Sequence, residues 1–307
     1  MPGEKLLRED FLDVCMEGKD WDETMESNTT YLKNQKRRRI IDAHLHFNPQ
    51  EPYFSQIARE AGHENNWEHL KGEYERLGFA GGIVMGNRSL RIKDQDYPEP
   101  MWYCAGIDRE YLRGNSLEQA APQIEENLRN PRCVGIKLYP GYDPCYIYEA
   151  AYEPVYELAE QYGKPVAVHT GETAGQGALL KYCHPLTLDE VAVRHPYMQL
   201  VMCHFGNPWL MDAAAVVDKN ENVALDLSGL LEGRFSVDDL FRKKKGYLEQ
   251  LRGWLDYLDN YEDVMFGTDW PLVNLEEYVG FVERLIPREE QEKVFFSNAN
   301  RIYGLGL

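Results

Sequence analysis

Two histidines one residue apart, His44 and His46, close the apolar run that begins at Ile40, directly after the charged stretch from Lys36 to Arg39. Ile40 and Ile41 predict a strand, and in a strand residues two apart share a face. Two imidazoles on one face at a strand end can hold a divalent cation together. The plain alternative is a pair of core histidines bonded to their neighbours. Further along, His169 falls near the end of the apolar run 166–172, His204 near the end of 200–206 and Asp269 near the end of 264–270. Each has an ordinary explanation when taken alone: a satisfied buried imidazole, or an aspartate capping the next loop. Nitrogen ligands joined by one carboxylate suit Zn²⁺, and also Mn²⁺ or Fe²⁺. That chemistry requires the strand ends to meet.

The elements that must bring them together are eight candidate strands, at 38–47, 81–87, 102–108, 134–140, 166–172, 200–206, 223–229 and 264–270. Most are continuous apolar runs ending in Gly, Pro or polar residues, the pattern of parallel strands buried on both faces. Apolar residues at helical spacing fill 118–129, 150–162, 188–195, 247–259 and 275–285, and Gly163-Lys164-Pro165 and His195-Pro196 supply helix stops. Eight strands alternating with helices predict an α/β protein of the (β/α)₈ barrel type, whose C-terminal strand ends converge on one mouth. A doubly wound open sheet is the alternative, because strand number alone does not establish closure. The barrel is expected to be distorted at 88–101, which reads as a loop and leaves the helix after the second strand short or missing. Residues 1–37 read as a charged helical extension that packs across the barrel floor or onto a second subunit, and 38–307 as the catalytic domain.

Size and composition agree. The 307 residues fit one large α/β domain, and 43% apolar with 12% aromatic content marks a folded chain. A formal net charge of −18 argues against nucleic acid or an anionic membrane as partner, without selecting a cationic substrate. The six cysteines, at 15, 104, 133, 145, 183 and 203, contain no CxxC pair. The first ten residues are charged and no apolar run is long enough to cross a bilayer, so a reduced cytoplasmic protein with free thiols is expected. Neither a glycine-rich phosphate loop nor a Ser-His-Asp or Cys-His nucleophile stands out. Cys203 neighbours His204, but strand alternation turns it to the other side.

From about residue 39 to the end, the chain resembles the amidohydrolase superfamily, and more narrowly its amidohydrolase-related branch of metal-dependent TIM-barrel hydrolases and decarboxylases. Segments 41–47, 135–140, 166–172, 203–209 and 266–271 carry the resemblance. It implies one divalent metal, first of all Zn²⁺, held by His44, His46, His169 and Asp269. His204 would be a further ligand or a group that positions water, and Asp269 would also act as general base. In binuclear relatives a lysine on the fourth strand is carboxylated and bridges two metals; Lys137 occupies that strand here. Members of this branch are typically mononuclear, which favours an uncarboxylated Lys137 that binds substrate or a charged neighbour.

Other residues are candidates for the mouth. Alternation puts Lys137 and Tyr139 on one face, opposite Ile136 and Leu138. Arg88, at the start of the loop after the second strand, is a candidate carboxylate clamp. Glu172, Tyr142, Asn207, Trp209 and Trp270 are candidate walls or substrate contacts, each with plain packing as the alternative. His184 is a candidate for reaching the site or orienting a ligand. His63, His69 and His195 are expected to be bystanders. The first functional reading is hydrolysis of an amide, lactone or ester bond in a small carboxylated molecule. The second is non-oxidative decarboxylation of an aromatic or muconate-like acid on the same ligands. A binding protein with a vestigial site ranks third. The N-terminal extension is a candidate contact for a homo-oligomer.

Overall fold

A computed structural model of the protein describes residues 39–86, 89–107, 109–112 and 116–307. The expected extension at 1–37, Cys15 and the candidate clamp Arg88 lie outside the described residues. All eight predicted strands form: β1 Ile40–Leu45, β2 Phe79–Met85, β3 Met101–Gly106, β4 Cys133–Leu138, β5 Val166–Val168, β6 Leu200–Met202, β7 Val223–Asp226 and β8 Val264–Met265. They pair in sequential order, every pair parallel. β1 and β8 meet through Ala43 N donating to Phe266 O at 2.9 Å, Asp269 N to His44 O at 2.8 Å and His46 N to Trp270 O at 2.7 Å. This is the (β/α)₈ barrel, and the open-sheet alternative is set aside.

Alternation sorts the side chains into two layers. Ile41, Ala43, Ile83, Met85, Cys104, Val134, Ala167, Val201, Ala224 and Met265 fill the barrel interior, while Ile40, Leu45, Val84, Ile136, Leu138, Val166, Leu200 and Met202 pack outward against helices. Phe296, Ala299, Ile302 and Tyr303 join the interior cluster, and Phe296 lies 3.8 Å beneath the Arg39 guanidinium, just before β1. The C-terminal segment therefore covers the barrel floor.

The predicted helices appear as Ser116–Arg129, Glu153–Tyr162, Leu186–Arg194, Lys245–Tyr257 and Leu275–Leu285. The Gly163 stop is realised as a left-handed cap at φ 59°. Pro52–Glu60, Trp67–Leu77, Leu210–Lys219 and Val237–Lys243 are helices that apolar spacing did not announce. Between β2 and β3 the described residues form a loop with one 3₁₀ turn, Ile92–Asp94, as the sequence predicts. Among the described residues no helix is long and apolar enough to cross a membrane, and Cys104, Cys133, Cys145, Cys183 and Cys203 are free thiols.

Strands β5 to β8 stop earlier than their apolar runs, and this matters for the site. The ladder ends at Val168, Met202, Asp226 and Met265, so His169, His204 and Asp269 stand on irregular chain beyond it. His204 has φ 64°, Phe205 47° and Asp269 57°, a left-handed region uncommon for residues with a Cβ. Such backbone persists where the surroundings over-determine it.

Candidate metal centre

At the β1–β8 seam the register of β1 shifts between Asp42 and Leu45. Without that irregularity Asp42 and His44, two residues apart, would face the same way. Instead Asp42 faces the helix layer and His44 the barrel mouth. The Asp42 carboxylate accepts from Thr268 N at 2.9 Å, Thr268 Oγ1 at 2.6 Å, His44 N at 3.2 Å and Tyr74 OH at 3.1 Å. Burial pushes its carboxyl up to about 7 against the opposing pull of these bonds. Asp42 thus ties the segment that carries His44 to the turn that carries Asp269.

The His44 and His46 rings both reach the mouth. His44 Nε2 lies 3.5 Å and His46 Nε2 3.3 Å from Asp269 Oδ1. His46 Nδ1 donates to Met85 O at 3.3 Å, which leaves its Nε2 as a lone pair, and its ring stacks on Phe54 at 5.9 Å. Burial first, and the nearby Lys137 charge second, lower His44 to about 3 despite Asp226. Burial disfavours the Asp269 charge as well, but His46, His204 and His44 outweigh it and hold the carboxyl well below the usual range.

The opposite arc is built from side chains on and after β5, β6 and β7. Asp226 Oδ2 pairs with His44 Nδ1 at 2.9 Å, and its Oδ1 accepts from His204 N at 3.0 Å, from Ser228 N at 3.1 Å and from the Ser228 hydroxyl. Ser228 Oγ is 2.9 Å from His204 Nδ1, and His204 Nε2 is 3.2 Å from His169 Nδ1. Burial lowers His169 well below the ordinary imidazole value, with the charges of His204 and Lys137 adding to it, and lowers His204 too. Burial opposes ionisation of Asp226, yet the His44 imidazole and the His204 N–H keep it well below the usual carboxylate range. Gly229 lets this arc close: a Cβ there would lie 2.7 Å from His204 Nδ1 and 3.1 Å from Asp269 Oδ2, and its φ is 63°.

Three buried atoms at this point, His44 Nε2, His169 Nε2 and Asp269 Oδ1, have no hydrogen-bond partner among the described residues. Unpaired buried polar atoms are costly, and finding three of them on separate elements that line one cavity is what a ligand set would leave. Ligand atoms of His44, His46 and Asp269 all lie within 4.8 Å of one another. Imidazole nitrogens with one carboxylate fit a divalent transition metal.

The centre opens into a cavity of about 630 Å³. Lys137, Tyr139 and Glu172 line it, as do Tyr142 and Asn207. Lys137 is fully buried and its Nζ donates to Cys203 Sγ at 2.8 Å; Tyr139 OH donates to Gly86 O at 2.7 Å. Cys203 therefore does not face away from the site. β6 ends at Met202, so Cys203 keeps the interior direction while the left-handed turn carries His204 to the mouth. Trp270 is not a lining residue: it is fully buried behind the centre, its ring 5.1 Å from His63. His184 lies outside the lining, 3.6 Å from Asp212 with its ring 4.9 Å from Trp209, while His63 bonds His69 and His195 bonds Glu153. Residues not anticipated from sequence also line the cavity: Asn48, Glu51, Tyr53, Phe54, Ile57 and Glu232. The supports Asp42, Asp226 and Ser228 were missed as well, although an aspartate inside the apolar runs of β1 and β7 was a visible signal.

Among solved structures, an uncharacterised TIM-barrel protein from Bordetella bronchiseptica shares 21% identity and a TM-score of 0.66 over 87% of this chain and 98% of its own. A 5-carboxyvanillate decarboxylase from Novosphingobium aromaticivorans, complexed with manganese and 4-hydroxy-3-methoxy-5-nitrobenzoic acid, is 12% identical with a TM-score of 0.59 over 87% and 96%. A probable 2-pyrone-4,6-dicarboxylic acid hydrolase from Acinetobacter baumannii, with citric acid bound, is 14% identical with a TM-score of 0.56 over 87% and 99%. At these identities the likeness speaks for the fold. No curated protein matches the chain. The family carries metal-dependent enzymes, and both a decarboxylase and a hydrolase stand among the neighbours. The amidohydrolase family itself matches residues 41–305, from β1 to the floor segment, and the chain belongs to that family.

Proposed function

We propose that this chain is a metal-dependent hydrolase that opens an amide, lactone or ester bond in a small carboxylated molecule, with Asp269 as general base. What carries the reading is an ionised Asp269 whose Oδ1 lies within 3.5 Å of the His44 and His46 Nε2 atoms at the foot of a solvent-open cavity. His44, His46, His169 and Asp269 would hold the cation, which when bound supplies Lewis acidity and a lowered pKa for water.

The chain's own residues do the rest. Asp269, a carboxylate beside the imidazoles that would hold the cation, accepts a proton from water and returns it to the leaving group. Lys137, at the cavity floor, receives a substrate carboxylate or the oxygen that gains charge. Its bond to the Cys203 thiol supports a lysine that is an ammonium rather than a carboxylated bridge, and so a single metal. Glu172 and Tyr142 contact the outer part of the substrate, and Arg88 remains a candidate clamp. Glu51, Glu172 and Glu232 add carboxylates to a wall shared with Phe54, Ile57 and Leu272, so the hydrolytic reading rests on the groups at the centre rather than on the wall. The decarboxylase reading is supported by Phe54 stacked on His46 and by Tyr142 packed 5.1 Å from His169, two rings that can border a planar acid.

Metal content per chain after chelator-free purification, followed by turnover in H₂¹⁸O, tests both readings. One zinc or manganese per chain, with ¹⁸O in the product, is expected. CO₂ release without ¹⁸O uptake supports the lyase, and failure to take up any metal after reconstitution overturns both.

A further inference from the structure

We propose that Asp226 and Ser228 are positioning residues that dictate where the protons sit on His44, His204 and His169, so that His204 is occupied in holding His169 and does not act as a ligand. For its consequence the proposal rests on the metal-centre reading above; for its hydrogen positions it does not.

Asp226 Oδ1 accepts from two backbone N–H groups, which can only donate, and so stands as an acceptor to its other neighbours. The Ser228 hydroxyl gives its single proton to Asp226 Oδ1, and its oxygen is then an acceptor facing His204 Nδ1 at 2.9 Å. The Ser228 carbonyl, 3.2 Å from the same Nδ1, can only accept as well. Both demand a proton on His204 Nδ1. A neutral imidazole carries one, so His204 Nε2 is a lone pair, and His169 Nδ1 at 3.2 Å must donate to it. His169 Nε2 is left as a lone pair, and it is one of the buried unpartnered atoms at the centre. His44 Nδ1 donates directly to Asp226 Oδ2 at 2.9 Å, which frees His44 Nε2 in the same way.

A single carboxylate, fully engaged by four donors, thereby sets three tautomers. The reverse assignment, with the proton on His204 Nε2, leaves Nδ1 as a lone pair facing the lone pairs of the Ser228 carbonyl. Between His204 and His169 it either turns two N–H groups toward each other or, with His204 Nε2 donating to His169 Nδ1, moves the His169 proton to Nε2 and takes that lone pair from the centre. Asp226 acts on His44 in one step and on His169 in three, through Ser228 and His204. Partners of this kind that orient ligands are worth about 10–100-fold in metal affinity.

The test is a long-range ¹H–¹⁵N correlation on the full chain labelled with ¹⁵N-histidine, at pH 7.5 and without metal, with signals assigned from single His→Gln variants. The expected spectrum shows His44, His169 and His204 all protonated at Nδ1. A proton on Nε2 of His204 or of His169 overturns the proposal. Manganese titration of wild type, Ser228→Ala and Asp226→Asn gives the second readout. About ten-fold weaker binding is expected for Ser228→Ala and a larger loss for Asp226→Asn, with the His204 and His169 signals of Ser228→Ala shifted and those of His63 unmoved. Unchanged affinity in Ser228→Ala together with unshifted His204 and His169 signals also overturns it. If wild type binds neither manganese nor zinc, the metal-centre reading fails while the spectra still decide the hydrogen positions. If Asp226→Asn does not fold, the wild-type spectrum and Ser228→Ala carry the decision.

Discussion

At the β1–β8 seam, the candidate ligands ride on main chain that is itself bonded across the seam. His46 N donates to Trp270 O, Asp269 N to His44 O, and Asp42 binds Thr268 and His44 from behind. Along the β5–β7 arc the strands end early, at Val168, Met202 and Asp226; His169 N still donates to Leu138 O at 3.0 Å, but the imidazole rings beyond the strands are oriented by side chains. One side is secured by backbone pairing, the other by a relay of carboxylate, hydroxyl and imidazoles. A seam of backbone bonds is lost only with the fold, whereas a side-chain relay can be cut one atom at a time. The two sides should therefore answer differently to substitution.

The largest effect is expected from Asp269→Asn, which removes the seam's only carboxylate at the centre and the proposed base together. Turnover should fall roughly a thousand-fold, read as the steady-state rate of the reaction followed in the ¹⁸O assay. Retention of full activity would remove Asp269 from the reaction. Asp42→Asn comes next, because at this fully buried position its NH₂ fits only on the side of the Thr268 and Tyr74 hydroxyls, which must then accept and lose the acceptor for their own protons. A cost of about 1–3 kcal/mol is expected, visible as a lower Tm in calorimetry with the manganese affinity reduced alongside. If Tm is unchanged, the seam does not depend on Asp42 and the contrast between the two sides narrows.

Gly229→Ala strikes the arc from the other direction. Its Cβ would meet His204 Nδ1 at 2.7 Å while φ stays at 63°, so a strain of about 1–2 kcal/mol and weaker manganese binding are expected. Wild-type affinity in this variant would mean that His204 moves freely, and the relay idea would lose its rigidity. The last effect concerns acid. His63, packed on Trp270 behind the seam, accepts from Leu275 N at 3.1 Å, and burial lowers it from 6.5 to about 4. As pH falls, the unfolded chain takes up this proton first. Its contribution to stability is complete above about 6.5 and is lost as pH drops toward about 4. Denaturant titrations at pH 7.5, 6 and 5 should show a decline that His63→Gln flattens; parallel curves for the two proteins would count against it.

Much of the barrel could be read directly from residue order, because strands buried on both faces must be apolar throughout, and stretches such as 133–138 and 200–203 have few other uses. The positions of His44, His46, His169, His204 and Asp269 near the ends of such runs are likewise properties of the chain. What period-two alternation misjudged was direction. It sent Cys203 away from the site, whereas the strand's early end leaves it against Lys137. It also gave no hint that Asp42 and His44 part company across an irregular register. Trp270, adjacent to Asp269, turned out to be a buried support because a left-handed residue reverses the local chain.

By itself, then, the amino-acid sequence determined the elements, their order and the chemical types placed at the strand ends, since burial on both faces and helix stops are local and additive. The tertiary structure alone decided which polar groups share hydrogen bonds. Asp226 and Ser228 look unremarkable in the run Val-Ala-Leu-Asp-Leu-Ser. Their importance arises when closure of the sheet brings β7 within 3 Å of an imidazole carried by β1, 182 residues away. Hydrogen bonding depends on distance and direction in space, and no pattern along the chain encodes that geometry.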